Sequence, residues 1–246
     1  MELDRYSGQG KTRCFQIRAI QIPIVYNKYG DHDPDGLLYV LEEDADRIRE
    51  CAQRNYSQEI PQPYEEVRPL VIRANLGDEI RVRFRHSLHR QLSIHVQGLL
   101  YDVNTSDGAS VGYNQESTTD REICYTWYAQ KEGVYLFSDM ADTRSSEEGT
   151  NVHGLFGAII VEPPEAKWLD LETGGELESG LFADIYTPGQ PAFREYAIFF
   201  HDELEMRDKD GRQPVDHHTG LPSATTGISY RSEPMRNRMP LTEDPA

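Results

Sequence analysis

Pro69-Leu-Val-Ile-Arg-Ala-Asn-Leu-Gly-Asp-Glu-Ile-Arg-Val-Arg-Phe-Arg85 is the stretch whose reading decides the fold. Val71 and Ile72 sit in an apolar run that breaks at Asn75-Leu76-Gly77-Asp78. Such residues favour tight turns, because Gly reaches positive φ and Asn and Asp bond their own backbone. Beyond the break, Ile80, Val82 and Phe84 alternate with Arg81, Arg83 and Arg85. A period of two marks a strand with one face in a core and one in water.

The same signal recurs in both directions. Upstream, Cys14–Val25 alternates with a change of phase near Ala19–Ile20, which predicts one long strand with a bulge. After a polar break at residues 26–36, Leu37, Leu38, Leu41, Ala45 and Ile48 recur at helical spacing. Glu42, Glu43, Asp44 and Asp46 come early, and Arg47, Arg49 and Arg54 late. That charge order suits the helix dipole and predicts one amphipathic helix near residues 37–54. Pro61, Pro63 and Pro69 then mark a loop. Downstream, Leu92, Ile94 and Val96 alternate and send His95 and Gln97 to the opposite face. Further strand signals follow at 123–128, 134–137 and 155–161. Many short strands around one helix predict an all-β Greek-key sandwich or barrel.

Between Pro163 and Asp184 six acids face the single base Lys167, and a fresh strand signal begins at Arg194 with no partner nearby in sequence. The expected organisation is a domain over residues 1–163, an acidic connector over 164–193, and the start of a second, incomplete unit over 194–246.

Composition excludes several functions. The 246 residues carry 25 Lys and Arg against 42 Asp and Glu, a formal net charge of −17. Phosphate-clamping nucleic-acid binders need the opposite sign, so no nucleic-acid partner is expected. The longest apolar runs, such as Gly154–Val161, fall far short of the roughly 20 residues of a membrane span. The first ten residues lack the pattern of a secretory signal. Cys14, Cys51 and Cys124 show no CxxC spacing. One pair could still bridge, but free thiols are favoured, with Cys14 and Cys124 buried in their strands.

Four blocks in this order carry a family resemblance. They are Pro69–Arg85, Ser93-Ile-His-Val-Gln-Gly98, Gly133-Val-Tyr-Leu-Phe-Ser-Asp-Met140 and Gly154-Leu-Phe-Gly-Ala-Ile-Ile-Val-Glu-Pro163. Together they resemble the first plastocyanin-like (cupredoxin) domain of multicopper oxidases, over roughly residues 14–163. Ser106-Asp-Gly-Ala-Ser110 is closer to the ceruloplasmin and coagulation-factor branch. Residues 26–33, 144–153 and 232–238 are similar to stretches of large bacterial manganese-oxidase-type members.

The resemblance implies a cupredoxin-like fold, copper in the parent protein, and other cupredoxin domains, of the same or a partner chain, as partners. It also implies an extracellular or cell- or spore-surface location. Metal ions or phenols would be oxidised as O2 is reduced. In the family the His-x-His-Gly block supplies two copper ligands, and here it reads His95-Val96-Gln97-Gly98. The Tyr-x-His-x-His block places Ser138 and Met140 at its two histidine positions. The His-Cys-His block does not occur. A copper cluster needs several neutral imidazoles, and a blue site a thiolate with two imidazoles. The expectation is therefore a largely copper-free scaffold, with His95 the one remnant metal-ligand candidate and no catalytic residue. The alternative is a non-catalytic module that binds a partner or calcium.

Other candidates are weaker by chemistry. An isolated His in a strand is usually a hydrogen-bonded structural residue, and Met140 usually a gap-filler. Asp31-His32-Asp33 and His217-His218 sit among turn formers, where such groups are usually solvated. Asp102, Asp107, Glu116 and Asp120 offer hard oxygens of the kind calcium takes, without EF-hand spacing. His201-Asp202-Glu203 would either reach a metal or cap the strand before it.

Overall fold

The computed structural model describes residues 10–109, 120–141, 149–202, 204–215 and 226–232. Its strands are β1 (Thr12–Gln21), β2 (Ile24–Val25), β3 (His32–Asp33), β4 (Leu37–Leu41), β5 (Leu70–Asn75), β6 (Glu79–His86), β7 (His95–Val96) and β8 (Leu100–Tyr101). They continue with β9 (Ile123–Tyr128), β10 (Gly133–Ser138), β11 (Phe156–Glu162), β12 (Lys167–Leu169), β13 (Phe182–Tyr186), β14 (Phe193–Tyr196), β15 (Phe200–His201) and β16 (Gly227–Ile228). The helices are α1 (Ala45–Tyr56) and the short α2 (Val103–Ser106).

Two sheets form the sandwich, a five-stranded one in the order β4-β1-β6-β9-β8 and a four-stranded one in the order β5-β11-β10-β7. The strands flanking the decisive turn, β5 and β6, fall in different sheets, so Asn75–Asp78 is a corner between the layers. Gly77 takes φ +92° there. The buried Asp78 carboxylate accepts from the backbone of Asn75 and Lys11 at 2.9 and 2.8 Å, and from the Arg13 guanidinium. Phe15, Ile17, Val82, Phe84 and Trp127 from one sheet meet Ile72, Phe137, Ile159 and Val161 from the other in one core. Burying each large apolar side chain there stabilises by roughly 1.5–3 kcal/mol.

A second apolar layer covers the outer face of β5 and β11. Phe156, Ala158 and Ile160 pack there with Ile48 and Ala52 of α1 and with Leu204, Met206 and Tyr230. The segment read as helical from Leu37 divides at this point. Leu37–Leu41 pairs antiparallel with β1, and the helix starts only at Ala45 after a 3-10 turn. Leu37 and Tyr39 enter the inner core while Leu38 and Val40 enter the outer layer. A strand buried on both faces presents a continuous apolar run that periodicity cannot separate from a helix. The long strand read over 14–25 likewise ends at Gln21, and Ile24–Val25 pairs instead with β3.

Cys14 and Cys124 are exposed, not buried. Phe15 and Ile17 of β1 and Ile123 and Tyr125 of β9 point inward, so the pleat turns the neighbouring cysteines outward. The acidic stretch contains strand: β12, β13 and β14 form a three-stranded antiparallel sheet, which gives the strand at Arg194 its partner. Buried Arg73 of β5 fixes this sheet to the sandwich, donating to Glu195 Oε1 at 2.6 Å and to the Gly180 carbonyl at 3.1 Å. Among the described residues no helix is long and apolar enough to cross a membrane.

Candidate metal-ligand face

β7 and β10 run antiparallel with Val96 opposite Phe137 and His95 opposite Ser138, and the Gln97 amide continues the ladder to the Leu136 carbonyl at 2.9 Å. Val96 and Phe137 point into the core. By the period of two, His95, Gln97, Ser138 and Met140 therefore share the opposite face. These are the four positions read from the sequence as ligand positions, and the register brings them together. They supply one imidazole, one amide, one hydroxyl and one thioether. Three of the four are neutral oxygen or sulfur donors without anionic charge, and this set does not fit the imidazole-rich coppers implied by the resemblance.

His95 itself is committed. Its Nδ1 lies 2.7 Å from the Asp107 carbonyl oxygen, to which a protonated Nδ1 donates, and its ring stands edge-on to Tyr101 at 6.4 Å. The Tyr101 hydroxyl donates to Asp107 Oδ1 at 2.8 Å. Burial first, and then the Asp107 carboxylate, push that phenol up to about 12. The loop that carries Asp107 is pinned to β9, where the Trp127 indole donates to the Ser106 carbonyl at 3.1 Å and the Thr126 amide to Ser106 Oγ at 3.0 Å. Gly108, at φ +75°, packs so closely on β7 that a Cβ would run into the Ile94 carbonyl.

The other half of the face is anchored by Asp139, which the sequence reading passed over. Its buried carboxylate accepts from the Ser93 amide at 2.8 Å, Ser93 Oγ at 3.1 Å, the Ala141 amide at 3.1 Å and Thr150 Oγ1 at 2.6 Å. Burial raises this carboxyl above its ordinary value, and the hydrogen bonds oppose that rise. Ser93 Oγ in turn accepts from the Met140 amide at 3.0 Å. The end of β10 is thus tied to the start of β7.

The remaining candidates separate. Asp31, His32 and Asp33 are all buried rather than solvated, and each turns to a different partner. Asp31 accepts from the Asn27 side-chain amide at 2.9 Å. His32 lies between the Gly30 carbonyl at 2.9 Å and the Tyr56 hydroxyl at 3.2 Å, and Asp33 Oδ2 lies 2.7 Å from His153 Nδ1. The Asp33 hydrogen bond raises the His153 pKa, whereas burial raises that of Asp33. His201 stacks edge-on against Phe156 at 5.1 Å, and burial lowers it to about 4. Asp102 accepts from the Asn104 amide at 2.8 Å, Asp107 from Tyr101 and Ala109, and Asp120 from Ser87 at 2.9 Å. Glu116, Glu203, His217 and His218 lie outside the described residues. Among the described residues no three His, Cys, Asp or Glu side chains are placed to hold one metal ion, calcium included.

Residues 60–166 match the family model described as multicopper oxidase. No curated protein matches the sequence. Among solved structures, a multi-copper oxidase from Pseudomonas thermotolerans is similar at 15% identity with a TM-score of 0.48, over 90% of this chain and 42% of that one. A copper nitrite reductase from Nitrosomonas europaea is similar at 16% identity with a TM-score of 0.40, over 63% and 42%. The multicopper oxidase mgLAC gives 14% and 0.42, over 63% and 40%. The chain spans less than half the length of each of these structures. Residues 60–166, which span β5 to β11 of the sandwich, are thus similar to the multicopper oxidase family.

Proposed function

We propose that this chain serves as a largely copper-free scaffold domain of a multicopper oxidase, whose oxidation of metal ions or phenols, coupled to O2 reduction, takes place on other cupredoxin domains of the same or a partner chain. One observation carries the reading. The register of β7 and β10 keeps the family's ligand positions on one face, while the residues there are His95, Gln97, Ser138 and Met140. Architecture has been retained at the place where the ligand set has been lost. The negative balance of the chain suits approach of cations such as Mn2+ or Fe2+ to the assembled protein. The proposed organisation keeps residues 1–163 as the family domain, 164–193 as a connector and 194–246 as the start of a second unit, whose first strand β14 pairs with β13 of the connector.

Metal analysis tests the proposal. The purified chain, loaded with copper and desalted, is expected to retain far less than one copper per chain, and His95→Gln is expected to leave that content unchanged. Stoichiometric copper with a strong blue or near-ultraviolet band overturns it.

A further inference from the structure

We propose that the outer face of the β12–β14 sheet binds a neutral polysaccharide, laid along a line of aromatic rings interrupted by one ion pair. Ala183 and Ile185 of β13 turn inward onto Trp168, so Phe182, Asp184 and Tyr186 turn outward. Successive outward positions on a strand lie about 7 Å apart, which makes a platform of about 14 Å from Phe182 to Tyr186. β14 completes it. Tyr196 lies opposite Phe182 with ring centroids 5.4 Å apart, and Arg194 lies opposite Asp184. The guanidinium meets the carboxylate in a fork, Nε to Oδ1 at 2.7 Å and the terminal nitrogen to Oδ2 at 3.1 Å. Beside this pair Tyr186 and Leu169 line an open cleft of about 510 Å3, which reaches Phe193 and Ile185 on the sheet's other face.

The chemistry of the face selects the ligand. On this face Phe182, Tyr186 and Tyr196 are 45–53% exposed, a concentration of bare aromatic surface on a small sheet. The central pair is neutral in a chain of net charge −17, so a charged ligand gains nothing there. A platform of about 14 Å is longer than one small ring and calls for a chain of them. Sugar rings offer apolar C–H faces to aromatics and carry hydroxyls that both donate and accept, which matches an acceptor (Asp184) beside a donor (Arg194). A proline-rich peptide would present acceptors with few donors and leave Asp184 unmatched. An aliphatic tail would leave both charges unmatched.

Native gel electrophoresis of the full 246-residue chain, through gels containing soluble xylan, β-glucan, galactomannan or a cellulose ether, tests the proposal. Retardation in at least one gel is expected, weakened at least tenfold by Tyr186→Ala and by Tyr196→Ala. Both residues are half exposed, and the thermal transition of each variant is expected to match the parent. Equal mobility in every gel, or retardation unchanged in the two variants, overturns the proposal. So does a concentration-dependent dimer abolished by the same substitutions, which would make the face a protein contact. None of these outcomes depends on copper content, so the proposal stands or falls separately from the scaffold reading.

Discussion

Two histidine environments divide the molecule. On the β7–β10 face, where the family chemistry would gather imidazoles, His95 stands alone and leans on a backbone carbonyl. Just before β11, the strand that pairs with β10, His153 is joined to the buried carboxylate of Asp33, with His32 and His201 nearby in their own separate contacts. The difference teaches that histidine density does not mark a metal site in this fold. Among the described residues the region richer in imidazoles spends them on packing and ion pairing, and the proposed ligand face holds His95 alone.

The largest effect is expected from Asp33→Ala. Removing one partner of a buried pair leaves the other uncompensated, at a cost of about 3 kcal/mol in urea unfolding. A loss below that of a surface substitution would break the contrast. Gly108→Ala acts on the other region. A side chain at φ +75° that meets the Ile94 carbonyl should cost about 2 kcal/mol and lift the Asp107 loop from His95, visible as faster amide exchange at Ser106 and Ala109.

Smaller and more specific is the pH response. A histidine whose pKa is raised on folding adds stability that is complete below the ordinary value and is lost as pH climbs past the raised one. The His153–Asp33 pair should therefore weaken from near neutrality upward, and His153→Gln should flatten that decline. Glu162 has the same sign. Burial, and then neighbouring Glu195, push it up to about 7 from its ordinary 4.5. Its contribution is fully present below 4.5 and fades as pH rises through 7, so the His153 comparison belongs in a Glu162→Gln background. The smallest change is His95→Gln, expected to cost under about 1 kcal/mol, the scale of one hydrogen bond. A larger loss would show that His95 carries more of its region than a remnant should.

Much of this was legible in the sequence. Alternation located β6 and sent His95 and Gln97 to one face, turn formers bounded β9 and β11, and the family resemblance picked out Ser138 and Met140. What escaped notice depended on distant partners. Asp33 reads as a solvated turn residue until His153, 120 positions away, is placed against it. Asp139 reads as loop until Ser93 and Thr150 close around it. Leu37–Leu41 was misread because two apolar layers erase a strand's alternation. The outward turn of Cys14 and Cys124 was already written in the inward phase of Phe15, Ile17, Ile123 and Tyr125.

The parallel pairings of the sandwich set a timetable for its assembly. β1 aligns Thr12 with Glu79, and β5 aligns Leu70 with Gly157. Contacts so far apart along the chain reward the polypeptide only after long loops have closed, which slows folding. On a ribosome β1 can pair with β4 first, but its other edge waits until β6 has emerged, and the second layer cannot close before residue 162. The sandwich thus closes late, and the β6-facing edge of β1 is what a chaperone would have longest to cover.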